Sequence, residues 1–159
     1  MNEQHQALIR RFYSAFANHD AETMASCYHE NVEFSDPGFG LLKGTEAGDM
    51  WQMLVERGGK DLVIIYSDVK ADDDTGKAYW EAIYRFSKTG RKVHNKIHAT
   101  FGFKDGLIIK HEDQFDFWAW SRMALGVPGI LLGWSGFLKK KVQTQAKGLL
   151  KRYRNKKAA

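Results

Sequence analysis

The chain has 159 residues and a mass of 18.2 kDa, the size of one domain with a modest extension, long enough to bury about two-thirds of its unfolded surface. Apolar residues at 43% and aromatics at 13% exclude a disordered chain, and the single cysteine, Cys27, excludes an intrachain disulfide, a cysteine-rich zinc site and a CxxC redox pair. The net charge of +5 conceals an asymmetry: residues 1–116 hold 14 Lys and Arg against 19 Asp and Glu, a net of −5, whereas residues 117–159 hold 10 basic residues and no acid, a net of +10.

In chain order, Leu8, Ile9, Phe12, Ala15 and Phe16 recur at helical spacing and predict an amphipathic helix over Gln4–Ala17. Asp20 is a good N-cap for a short second helix with Met24, Cys27 and Tyr28 on its apolar side. Val32–Ser35 reads as a short strand that Asp36-Pro37-Gly38 turns. Thr45 can cap a third helix striped by Ala47, Met50, Trp51, Leu54 and Val55, and Gly58-Gly59 stops it. Beyond that point the period changes from helical to alternating. Leu62–Lys70, Ala78–Ser87, Lys92–Phe103 and Leu107–Phe117 read as strands joined by turn-like links, hence as antiparallel hairpins.

Parity sets the faces. Trp80, Ala82, Tyr84 and Phe86 share one side of their strand, Val93, Asn95, Ile97, Ala99 and Phe101 one side of the next, and Ile109, His111, Asp113, Phe115 and Phe117 one side of the last. These sets are expected to face the helices, and a bulge would flip the parity beyond it.

With these elements in place the sequence resembles the NTF2-like superfamily, in its SnoaL-like and ketosteroid-isomerase-like branch. The resemblance runs from Leu8 to Phe117. Its marks are the Phe12–Asp20 helix end, the strand and turn Asn31–Pro37, Leu42-Lys43-Gly44 before the third helix, the hairpin Phe101–Gly106 and the strand around His111-Glu112-Asp113. It implies an α+β cone: a curved antiparallel sheet packed on three N-terminal helices, with a deep pocket at one end; the C-terminal helical extension read beyond Phe117 departs from it. It is specific for fold and much less so for function, because the superfamily holds isomerases, cyclases, epoxide hydrolases and non-catalytic binders.

Three residues are candidates for catalysis. Asp36, before Pro37, matches the position of the general base of ketosteroid isomerase, and a carboxylate there could lift a proton alpha to a carbonyl; an ordinary Asx turn is the competing explanation. His111 and Asp113, two apart on a strand, point the same way among apolar neighbours, so an acid–base pair, a lining of the pocket and a satisfied structural pair are all open. Asn95 is a candidate to orient a ligand or pair with Asp113. The resemblance argues against steroid isomerisation itself, since Phe12 and Ala99 stand where the isomerase's oxyanion-hole tyrosine and aspartate would be, and Tyr13 is rotated about 100° from Phe12 on a helix. Phe12, Phe16, Tyr28, Met50, Trp51, Leu54, Trp80, Tyr84, Ile97 and Trp118 are expected to line the cone, with plain core packing the competing role for most. His94 and His98 do not share a metal on a strand, and His29, Glu30 and Glu33 read as surface groups. No metal or cofactor is expected.

The chain divides into a cone over residues 1–117 and a basic amphipathic extension over 118–159 packing on it. In the extension Leu138, Val142, Ala146, Leu149, Leu150 and Tyr153 form a helical stripe opposite Lys139, Lys140, Lys141, Lys147, Lys151 and Arg152. This helix is expected to fold back over the pocket region, burying Trp118, Trp120, Ile130, Leu131, Trp134 and Phe137 with it. Docking on an anionic membrane is the second choice, and nucleic acid is not expected. The sequence is read as a cytoplasmic small-molecule pocket protein, a SnoaL-like acid–base lyase, isomerase or cyclase for an apolar carbonyl or polyketide-like compound. The alternative is a non-catalytic binder of an apolar ligand or protein partner. A homodimer through the outer face of the sheet is also expected.

Overall fold

The computed structural model of the chain describes residues 1–159. Helix α1 spans Glu3–Ala17, with the Asn2 side chain accepting from the His5 backbone N–H at 2.9 Å. Helix α2 spans Ala21–Ser26 under an Asp20 cap that accepts from the Thr23 N–H, as its sequence predicts. Strand β1 (Tyr28–Asp36) is longer than expected, and a short strand that the sequence did not reveal, β2 (Gly40–Lys43), pairs with it. Helix α3 spans Thr45–Gly58, but Gly44 takes the N-cap place and no side chain, Thr45 included, caps it.

The strands β3 (Val63–Ala71), β4 (Thr75–Arg85), β5 (Lys92–Lys104) and β6 (Leu107–Gln114) form the expected antiparallel meander. The sheet order is β2-β1-β6-β5-β4-β3. Strand β1 runs parallel to β6, so the sheet is mixed rather than wholly antiparallel. The reason is connectivity: β1 reaches β6 only after a long crossover through α3 and the meander, which leaves either direction open. Register shifts interrupt β1 against β6, β3 against β4 and β5 against β6, and such bulges bend a sheet into a cone.

Alternation in β4 and β5 holds: Ala78, Trp80 and Ala82, and Val93, Asn95, Ile97, Ala99 and Phe101, are all buried. In β6 the shift at Gly102/Phe103 changes the face. Ile108 turns inward in place of Ile109, while His111 and Asp113 stay inward. Gly76 allows α1 to lie against β4, because a Cβ there would stand 2.8 Å from both Ile9 Cδ1 and Phe103 Cζ.

The extension is helical, as expected. Helix α4 (Phe117–Leu125) starts three residues after β6, α5 (Val127–Leu132) follows at Gly126, whose φ of +71° suits glycine, and α6 runs over Gly136–Ala158. Phe117, Trp120 and Ala124 of α4 pack on Val93, and Tyr84 and Phe115 join this small cluster to the main core. Helix α6 straps the same end of the molecule. Gln143 Nε2 donates to the Pro37 carbonyl at 3.0 Å, Leu150 enters the core, and Arg154 and Lys157 both bind Asp49 of α3. The chain's own tail therefore covers the Asp36-Pro37 turn and the flank of α3.

Candidate functional site

A continuous hydrogen-bonded chain crosses the middle of the cone. Trp51 Nε1, from α3, donates to the Tyr28 hydroxyl at 2.7 Å. The Tyr28 oxygen lies 2.8 Å from His111 Nδ1, and His111 Nε2 lies 2.9 Å from Asp113 Oδ1. Trp80 Nε1 donates to the same Asp113 oxygen at 3.3 Å. Since Trp51 can only donate, the single Tyr28 proton is satisfied only by donating to Nδ1. This assigns the His111 proton to Nε2, where Asp113 accepts it. Burial, partly offset by the bond from Trp51, holds the Tyr28 phenol well above its usual pKa, so it remains a donor.

Elements converge on this chain for local reasons. His111 and Asp113 sit two apart on β6 and so share the inner face. The buried His111 ring is enclosed by Phe101 at 4.5 Å, Phe34 at 5.1 Å, Phe12 at 5.4 Å and Trp51 at 6.1 Å between centroids. Two buried atoms nearby have no partner: the Tyr13 hydroxyl and Asp113 Oδ2. Burial first, then the charge of Asp113, raise the Tyr13 pKa well above its usual value. Tyr13 is the residue that sequence reasoning set aside. Phe12 and Tyr13 are both fully buried, because the inner face of α1 is wide, meeting β3, β4, α2 and α3, while Ala7, Arg10, Arg11 and Ala17 face water.

Asp36 sits at the covered end of the cone. Its Oδ1 accepts from the Gly38 N–H at 2.9 Å and the Phe39 N–H at 2.6 Å, so the Asx turn is real and Oδ2 stays uncommitted. Burial outweighs these two bonds and, with the charge of Asp113 added, pushes the carboxyl up to about 7. Tyr84, pushed up to about 12 chiefly by burial, accepts from Trp120 Nε1 at 2.9 Å and feels the Asp36 charge. Tyr84→Phe keeps the ring and removes only the acceptor of this bond, so it is expected to cost about 1 kcal/mol, read as a fall of roughly 2–4 °C in Tm by calorimetry.

The other residues expected in the site fall into three groups. Phe12, Phe16, Met50, Trp51, Trp80 and Ile97 are core residues packed on one another, and Leu54 packs against them half-buried. Asn95 is buried on the inner face of β5 opposite Ala82, with no hydrogen bond to Asp113. Trp118 does not line the cone. It lies exposed on α4, stacked under the Arg122 guanidinium, with Nε1 donating to the Ile130 carbonyl at 3.3 Å; Trp120, two residues on, takes the inward place. His29 is buried, not a surface group: its Nδ1 accepts from the Asn31 N–H and its Nε2 lies 3.4 Å from Asp105. His94 pairs with Glu81 on the outer face. Two polar surface clefts of about 430 and 480 Å³ flank α3, and neither reaches His111 or Asp113.

A family model described as a SnoaL-like domain matches residues 9–111. The chain belongs to that family. The match ends at His111, leaving Asp113 and the whole extension beyond it. No curated protein matches the chain. Among solved structures, a protein from a soil-derived mobile gene cassette is similar at 25% identity, over 76% of this chain and 96% of its own, with a TM-score of 0.66. TsrD from Streptomyces laurentii is 19% identical over 80% of this chain and 98% of its own, with a TM-score of 0.66. An LEH-like epoxide hydrolase of M. tuberculosis is 17% identical over 81% of this chain and 96% of its own, with a TM-score of 0.63. The last two likenesses establish the shared α+β cone. No helix of this SnoaL-like chain is long and apolar enough to cross a membrane.

Proposed function

We propose that the protein binds a small, largely apolar molecule carrying a carbonyl or enol and moves a proton on it with its own side chains. The observation that carries this is the pair of buried atoms without partners, the Tyr13 hydroxyl and Asp113 Oδ2. An unpaired buried polar atom costs about 1–3 kcal/mol, and one ligand with an oxygen to accept from Tyr13 and a hydroxyl to donate to Asp113 relieves both. Tyr13, kept protonated by its raised pKa, is a donor that can stabilise charge developing on a carbonyl oxygen, often the largest catalytic term. That role was missing at Phe12 and Ala99. Asp36, near 7, is poised to take the proton. The Trp51–Tyr28–His111 chain fixes the orientation of Asp113. Entry requires α4 and α6 to swing off the cone, breaking the Trp120–Tyr84 and Gln143–Pro37 bonds.

Solvent-deuterium exchange at the α-carbon of apolar cyclic ketones, followed by NMR, tests this without a known substrate. Exchange is expected to rise with pH through about 7 as Asp36 ionises, and to fall by about a hundredfold in Asp36→Asn. Exchange equal in both proteins removes Asp36 as base. Ligand binding with no exchange favours the second reading, a non-catalytic pocket, for which the fully packed His111 ring speaks; Tyr13→Phe would then weaken binding alone.

A further inference from the structure

The extension fails one expectation in an informative way. Its α6 stripe packs on the body, yet the segment before it does not: Trp134 is 74% exposed, Phe137 71%, Val127 65%, Leu131 63% and Ile130 51%. Val127, Ile130 and Leu131 share one face of α5 by their i, i+3, i+4 spacing, and the two exposed tryptophans adjoin it. Trp134 Nε1 donates to the Leu131 carbonyl at 2.9 Å, and Trp118, itself exposed, donates to the Ile130 carbonyl. A group of aromatic and aliphatic residues this exposed marks an interaction surface.

Charge identifies the occupant. Residues 117–159 contain no acid, and Lys139, Lys140 and Lys141 come one residue after Phe137 near the start of α6, all exposed. With no acid in the extension to pair with them, these lysines form an uncompensated positive rim beside the apolar residues, which an anionic surface would neutralise. A second copy meeting face to face would bring the same basic rim and repel. We propose that this surface, with Trp134 and Phe137 at its tip, docks the protein peripherally on an anionic lipid bilayer, the apolar side chains entering the acyl boundary and the lysines meeting the headgroups.

Co-sedimentation of the full chain with phosphatidylcholine vesicles, with and without phosphatidylserine, tests the proposal. Binding is expected only to the phosphatidylserine vesicles, weakening as salt rises. Trp134→Ala with Phe137→Ala should reduce it by at least about tenfold, and Lys139→Gln with Lys140→Gln and Lys141→Gln by a similar factor. All five residues are exposed, so both variants should keep the wild-type circular dichroism and Tm, which separates lost binding from lost folding. No binding to anionic vesicles, or binding that either variant leaves unchanged, overturns the proposal. So does a concentration-dependent dimer, seen by sedimentation velocity without lipid, that the Trp134 and Phe137 substitutions dissolve: the patch would then be a self-interface. None of these outcomes bears on proton transfer by Asp36.

Discussion

Replacing His111 with phenylalanine is expected to destabilise the fold by about 3–5 kcal/mol, although an aromatic ring is kept and Phe12, Phe34, Phe101 and Trp51 enclose it. The imidazole is the only link between two buried groups. Without it the Tyr28 hydroxyl loses its acceptor, and Asp113 keeps Trp80 Nε1 alone on Oδ1 while Oδ2 is already unpaired. The cost comes from stranding these groups, since a buried donor or carboxylate without a partner forfeits its hydration for nothing. Adding Asp113→Val should therefore recover much of the loss, because removing both partners of a buried pair is often nearly neutral. Urea denaturation of wild type, both single variants and the double variant gives the coupling directly. Additive effects would mean that His111 is merely packed and that the Trp51–Tyr28–His111–Asp113 chain holds nothing in place.

The sequence disclosed most of the frame and only part of this chain. Strands β4 and β5 were legible because each has one dry face and one wet face, so Trp80 and Ile97 alternate with Glu81 and Lys96. Strand β6 begins Leu107-Ile108-Ile109, three apolar residues that fit either face, and the Gly102/Phe103 bulge decides between them without marking the sequence. Strand β2 is four residues long, too short to show a period. At the site, His111 and Asp113 were legible because ionisable groups stood at inward positions. Tyr13 was not, because the helical wheel rotates it off the face of Phe12, whereas the buried face of α1 is wide enough to hold both, with Ala7, Arg10, Arg11 and Ala17 on the wet side. The Tyr28 and Trp51 hydroxyl and indole contacts depend on how α3 meets β1, which no local pattern encodes. The extension misled in the opposite direction: size and apolarity predict burial for Trp134 and Phe137, whereas a surface meant to meet something else keeps them in water.

Asp36→Asn is expected to leave stability unchanged near pH 4 and to raise it near pH 8, by up to about 4 kcal/mol or on the order of 10 °C in Tm. Asp36 is an acid whose carboxyl is raised on folding from 3.8 to about 7, chiefly by burial. Below pH 4 it is protonated in both states and costs nothing. Between pH 4 and 7 the unfolded chain ionises freely while the folded chain holds its proton. Each pH unit then removes about 1.4 kcal/mol of stability, and the loss is complete above 7. Asparagine keeps the Oδ1 acceptor for the Gly38 and Phe39 N–H groups, so the turn survives and only the pH-dependent penalty disappears. Residual exposure of Asp36 lets water screen part of the penalty, which makes 4 kcal/mol an upper bound. Thermal melts of both proteins across pH 4–8 decide the matter. Parallel curves would mean that the Asp36 carboxyl is not desolvated and has no reason to serve as a base near neutrality. Diverging curves, together with loss of α-proton exchange in the same variant, would mean that the fold carries a destabilising carboxylate at the covered end of its cone because the chemistry there uses it.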